Sequence, residues 1–189
     1  MMNIDVEKTA IPGCYEIIMP KFTDNRGLFV KSFHEEVSRK NGLVTHFAEE
    51  FYTVSYKGVL RGLHVQFPPF DLIKLVFCLS GRVLDAVVDL RLGSSTYGKF
   101  ALFELSAEKS NMIYIPSGVA HGFYSMTDGA IMMYKVTAVY SPSHDSGILW
   151  NSAGIPWPDK SPIISQRDRE FPSLANFSSP FTFSVGEMK

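Results

Sequence analysis

A chain of 189 residues with a formal net charge of −1 is long enough for one domain with a full core and does not require two. That balance gives no bulk electrostatic reason to bind nucleic acid or an anionic membrane, so any anion must be held locally by particular side chains. No run approaches the ~20 apolar residues of a membrane span, and "MMNIDVEKTAIPG" has early charges without a signal-peptide core, which predicts a cytoplasmic protein.

In chain order, the first regular element expected is a short helix over "HEEVSRKNG" (34–42), polar and closed by Asn-Gly. Strand-like runs follow: "LIKLVFCL", "GRVLDAVVDLR", "GKFALFELS", "NMIYIPSG", "HGFYSM" and "AIMMYKVTAVY". Turn-like joints such as "SG", "LGSSTYG" and "TDG" separate them, the pattern of an antiparallel sandwich or barrel. The tail "WNSAGIPWPDKSPIISQRDREFP" is rich in Pro and polar residues and holds two tryptophans, which predicts ordered loop anchored over the sheets. With no repeat or linker in view, residues 1–189 are expected to form a single domain. Cys78 reads as a small buried thiol; a disulfide with the distant Cys14 is the alternative.

The stretch "KGVLRGLHVQFPPFDLIKLVF" (57–77) sets Arg61, His64 and Lys74 among apolar neighbours. Strand alternation puts Arg61 and His64 on opposite faces, whereas a bulge at Gly62 lets them converge, and the sequence leaves both arrangements open. Alone, His64 reads as a structural histidine, Lys74 as a guard on an edge strand, and Arg61 as a stem covering apolar surface. Together, three cationic donors on one small barrel repel one another without an anion, which points to a phosphorylated or otherwise charged small molecule. His121 in "IPSGVAHGF" is delivered by a turn to the next strand. Tyr134 reads in isolation as core with a wet tip, and Asp168 as a loop charge.

Taken in order, "FTDNRGLFVKSF", "KGVLRGLH", "KLVFCLSGRVLDAVVDLR", "STYGKF", "IPSGVAHGF", "YKVTAVYSP", "GILWN" and "WPDKSPIISQRD" resemble the blocks of the dTDP-4-dehydrorhamnose 3,5-epimerase family over roughly residues 10–170. The resemblance implies an all-β, cupin-type double-stranded β-helix (jelly roll) with short peripheral helices. It also implies a homodimer that exchanges N-terminal segments, and a nucleotide-linked 4-keto-6-deoxyhexose as substrate. It places the base on His64, its orienting carboxylate on Asp168, an oxyanion partner on Lys74 and the acid on Tyr134. Arg61 and Arg26 fall on diphosphate-binding positions, His121 on a second active-site histidine, and Phe29 and Tyr140 on aromatics near the base. No cofactor and no metal are implied. The residues agree on the metal, because metal-binding cupins supply His-x-His with a carboxylate and "HVQ" offers one histidine and Gln66.

The chain departs from the family pattern at two places. Lys31 stands where a Glu accepting the thymine N3–H is usual, and Glu49, Glu50 and Phe51 replace Gln-x-Asn. A donor for an acceptor, and an acceptor for an amide, suit cytosine better than thymine, so a CDP-linked sugar is favoured over the dTDP-linked one, as in routes to 3,6-dideoxyhexoses. The alternative is an exposed Lys31–Glu49 ion pair with no part in base choice. Other classes kept in view are a non-catalytic sugar-nucleotide-binding cupin, a metal-dependent cupin oxygenase, and a 3,4-ketoisomerase using related enolate chemistry.

Overall fold

A computed structural model describes residues 4–184. Its strands are β1 (Asp5–Lys8), β2 (Tyr15–Ile18), β3 (Lys21–Asp24), β4 (Gly27–Val30), β5 (Glu49–Ser55), β6 (Leu60–Gln66), β7 (Lys74–Ser80), β8 (Arg82–Asp89), β9 (Phe100–Ser106), β10 (Asn111–Ile115), β11 (Val119–Ser125), β12 (Ala130–Val136) and β13 (Asp145–Gly147). The helices are α1 (Glu35–Lys40) and α2 (Gln166–Arg169). Strands β1-β2-β10-β7-β12-β5 form one antiparallel sheet and β13-β6-β11-β8-β9 a second, while β3 and β4 make a separate hairpin. The expected strands and short helix are present. The tail carries α2 and a turn of 3₁₀ helix at Leu174–Asn176, and both cysteines are free and buried.

Alternation along each strand explains the layering. Val76, Cys78, Met132 and Tyr134 of the six-stranded sheet face Val83, Val87, Leu105 and Phe123 of the five-stranded sheet. The intervening residues face outward: Leu75, Phe77, Met112 and Tyr114 pack against Met19 and Leu43. Leu63, Val65, Ala86 and Val88 are covered by the tail through Ile148, Ile155, Phe177 and Phe181. Each large side chain so enclosed contributes about 1.5–3 kcal/mol of burial. A second anchor in the tail is the indole Nε1 of Trp157, which donates to Trp150 O at 2.9 Å. Tail and barrel are thus one packed unit, and the tail brings α2 to the end of β6.

The parity that carries the core also carries the polar groups. Lys74 precedes Val76 and Cys78 on the inward face of β7, and Tyr134 and Val136 share the inward face of β12. One ladder rung runs Lys74↔Val136↔Glu49 across β7, β12 and β5, at the open end of the barrel. Opposite it, Leu63 and Val65 turn to the tail, so His64 and Gln66 turn inward. No helix of the described residues is long and apolar enough to cross a membrane.

Candidate active site

A bulge resolves the parity of Arg61 and His64. On β11, His121 pairs with His64 and Phe123 with Arg61, so two steps on one strand match three on the other. Gly62 absorbs the extra residue with φ 125°, and a Cβ there would meet Gly122 Cα at 2.6 Å and His121 O at 2.8 Å. The Gly62 N–H donates to Asp168 Oδ2 at 3.0 Å, while Asp168 Oδ1 lies 2.9 Å from His64 Nε2. Asp168 itself is fixed by α2, where Ser165 Oγ accepts its backbone N–H at 3.1 Å. One carboxylate therefore sets both the backbone and the ring of the histidine.

Burial raises the Asp168 carboxyl, but its hydrogen bonds and charge contacts with His64, the Gly62 N–H and Arg167 outweigh that and bring it down to about 2. The family pattern suggests that Asp168 makes His64 more basic. Asp168 acts in that direction, but burial is the larger effect and, with Lys74 and Arg167, leaves the imidazole below its ordinary 6.5. His64 is thus neutral at pH 7, the form able to accept a proton. Burial also lowers the ammonium of Lys74, to about 8, against the pull of Asp145 and Asp85. Lys74 Nζ donates to His64 O at 3.1 Å.

These groups open on a cleft of about 350 Å³ lined by Glu49, Phe51, His64, Lys74, Tyr140 and Asp145, among others. Glu49 Oε2 accepts the Tyr140 N–H at 2.8 Å, and the Tyr140 hydroxyl donates to Asp145 Oδ2 at 3.2 Å. Deeper on the inward faces, Tyr134 stacks on Phe51 with centroids 4.8 Å apart, and burial holds its hydroxyl far above the ordinary phenol range. His121 lies edge-on to Tyr134 and holds Asp85 Oδ2 at 2.7 Å. Arg61 donates to Ser55 Oγ at 3.0 Å and to Val54 O at 3.2 Å, and among the described residues no carboxylate pairs with it.

Tyr134, His121 and Arg61 do not line this cleft, and three further expected residues lie elsewhere in the chain. Arg26 and Phe29 line a groove of their own on the β3–β4 hairpin, where Arg26 pairs with Asp24 at 2.6 Å. Lys31 borders a different cavity, beside Phe33 and Ile17, and makes no ion pair with Glu49 among the described residues.

Asp145, Arg167 and Asp85 were not among the expected site residues. Arg167 lies in the quoted "SQRD" beside Asp168, yet an arginine in a polar tail carries no signal of its direction. Asp85 could have been found: in "RVLDAVVD" it shares parity with Val83 and Val87, a carboxylate on a core face. It is fully buried, with Oδ1 lacking any partner, and burial raises its carboxyl.

Two antiparallel sheets packed over an apolar core define a cupin-type jelly roll, and at its open end a His–Asp pair lies beside a half-buried lysine, a set of groups able to exchange protons. The family model for dTDP-4-dehydrorhamnose 3,5-epimerase matches residues 8–176, and the chain belongs to this family of epimerases. Among its relatives, the dTDP-4-dehydrorhamnose 3,5-epimerase of Shigella flexneri is 42% identical over 169 residues, covering 87% of this chain and 93% of the relative. That of Methanothermobacter thermautotrophicus is 40% identical over 172 residues, covering 88% and 92%. The Bacillus anthracis enzyme with TDP and PPi bound superposes with a TM-score of 0.87 at 36% identity, over 90% of this chain and 99% of that one. The Legionella pneumophila dTDP-6-deoxy-D-glucose-3,5-epimerase in complex with dTDP-4-keto-L-rhamnose gives 0.90 at 32% identity, over 96% and 100%.

Proposed function

We propose that the protein inverts C5, C3 or both in a nucleotide-linked 4-keto-6-deoxyhexose, in deoxysugar biosynthesis. A C4 ketone acidifies the hydrogens on its neighbours because the electron pair left behind delocalises onto O4 as an enolate. The observation that carries the reading is the division of polar groups between the two sheets: His64 projects from the five-stranded sheet, Lys74 and Tyr134 from the six-stranded one. A sugar between them has a base on one face and an acid on the other, which is what inversion requires. His64, oriented by Asp168, takes the proton; Lys74 stabilises the oxyanion; Tyr134 delivers a proton to the opposite face.

A neighbouring structure supports the pairing. The 3'-monoepimerase ChmJ of Streptomyces bikiniensis has been crystallised as a double variant with one His replaced by Asn and one Tyr by Phe. Those two positions are separated in its chain by the same number of residues as His64 and Tyr134 are here. An enzyme of this fold named for inversion at one centre also keeps single inversion in view for this chain.

The diphosphate falls to Arg61 and, from a second copy, to Arg26. On the β3–β4 hairpin Phe22, Leu28 and Phe29 are 59%, 50% and 58% exposed, and a two-stranded sheet with bare aromatics is not stable on its own. A homodimer exchanging N-terminal segments covers that surface and brings Arg26, Phe29 and Lys31 to a pocket. At the base end, Glu49 in the cleft and Lys31 from the partner's hairpin favour cytosine, whereas the relatives are named for dTDP sugars. A cytoplasmic setting, with no cofactor and no metal, completes the reading.

The test offers the purified protein CDP- and dTDP-linked 4-keto sugars in heavy water and follows label at C3 and C5. Label at neither centre with any substrate rejects epimerisation. Equal binding of CDP and dTDP, or preference for dTDP, rejects the choice of base alone.

A further inference from the structure

Among the described residues, Arg167 is the one cation of the cleft that touches the histidine ring. Nη1 pairs with Asp145 Oδ2, Nε lies 3.2 Å from Asp168 Oδ1, and Nη2 lies 2.7 Å from His64 Nε2. The guanidinium carbon sits 5.6 Å from the centre of the Phe171 ring, which also packs edge-on against His64 at 5.8 Å. Arg167 and Asp168 thus address the same ring nitrogen with opposite charges.

Nε2 cannot satisfy both. Carrying hydrogen, it donates to Asp168 and faces the guanidinium N–H; without hydrogen, it accepts from Arg167 and faces the carboxylate lone pairs. Asp168 is held independently by the Gly62 and Ser165 contacts, so its oxygen stays in place. The Nε2–H form is then favoured, leaving Nδ1, which has no hydrogen-bond partner among the described residues, as the basic lone pair. With the Nε2 hydrogen held by Asp168, the charge of the guanidinium disfavours a second proton on the ring.

We propose that Arg167 is a positioning residue that counterbalances Asp168: it holds the His64 imidazole neutral beside a carboxylate that alone would draw it toward the protonated form. This rests on the reading of His64 as the base. The other ionisable groups facing the ring from adjoining elements are Lys74 on β7, Asp145 on β13, His121 on β11 with its partner Asp85 on β8, and Glu49 on β5 across the cleft. Lys74 acts in the same sense as Arg167. Asp145 tethers the guanidinium and partly cancels its charge, which makes the counterweight moderate.

The test is a histidine-selective ¹⁵N NMR titration of the whole protein, which reads the charge of the ring without substrate. In Arg167→Gln the His64 midpoint should rise by about one pH unit, the lower end of the range for a single nearby charge because Arg167 is 49% exposed. The acid limb of substrate deuterium exchange should rise with it. Arg167→Lys, which keeps the charge, should restore most of the wild-type midpoint, and Arg167→Met serves as a second neutral variant. Unmoved His64 midpoints in both neutral variants, with dispersed folded spectra, overturn the proposal. A midpoint that rises while no limb of the activity profile follows upholds the counterweight and rejects His64 as the base, so the two failures separate.

Discussion

The ammonium of Lys74 donates to the carbonyl oxygen of His64 at 3.1 Å, so the cation and the ring are fixed to the same residue of β6. The hydrogen bond spans the two sheets and holds Nζ at the level of the cleft, where a ligand carbonyl can take over one of its remaining donors. Lys74→Met should lower kcat for deuterium exchange by about 10²–10³-fold with little change in KM, the loss expected for an oxyanion donor. A comparable rise in KM instead would make Lys74 a binding group only.

The pH profile follows from the same two groups. On the proposed mechanism His64 must be neutral, and burial places it below its ordinary 6.5, so activity should rise with pH through a midpoint below that value. The oxyanion partner must be charged, so activity should fall as pH rises through about 8, where Lys74 loses its proton. The limbs are macroscopic values of coupled groups. Loss of the basic limb in Lys74→Arg, which stays charged, would assign that limb to Lys74.

Asp168→Asn should cost about 10²-fold or more in kcat, because an amide orients the ring without supporting its charge. It also bears on stability. The folded carboxyl is depressed from 3.8 to about 2, so its contribution is present above pH 4 and is lost as pH falls through about 2. Its size is about 2–3 kcal/mol. Acid titration of the folded state should therefore show the wild type losing an advantage over Asp168→Asn between pH 4 and 2.

Tyr134→Phe keeps the ring stacked on Phe51 and removes the proton from the far face. Exchange at the carbon facing His64 should persist while net inversion falls by at least about 10²-fold. Equal loss of both would reject Tyr134 as the acid and make it part of the binding surface.

Gly62→Ala should destabilise the fold by about 2–4 kcal/mol, since the new methyl meets backbone at 2.6 and 2.8 Å and the residue must keep φ near 125°. Thermal unfolding measures this directly. A variant as stable as wild type would mean that the bulge can relax, and with it the alignment of His64.

The proposed exchange of N-terminal segments between two copies predicts complementation. Arg26→Ala and His64→Ala should each be inactive, yet a refolded mixture should recover up to about one quarter of wild-type activity, because half the dimers are mixed and each has one intact site. No recovery from a mixture shown to contain mixed dimers would place Arg26 at its own chain's site or at none.

The alternating apolar runs of "KLVFCLS" and "AIMMYKV" and the Gly-rich joints were enough to predict an antiparallel sandwich or barrel, because strand periodicity is local. The residue types also announced a cationic cluster for an anionic small molecule, whereas the acid–base roles came only from the family resemblance. What the chain could not declare is direction at a distance. Whether Arg61 and His64 share a face depended on Gly62 opening a bulge, and that bulge is read only against its partner β11. Asp168 looked like a solvated tail charge until the tail was seen to fold over β6 and spend both carboxylate oxygens on one short stretch, 104 and 106 residues upstream. Arg167, one position before it, acquires meaning only from the ring it touches. The sign of the His64 shift was likewise beyond sequence, since it is the difference between burial and the charges of Asp168, Lys74 and Arg167, all of them consequences of packing. Local pattern thus determined the elements and their faces; the balance of charge at the site is a sum over groups far apart in sequence, and only tertiary structure brings those groups within range of one another.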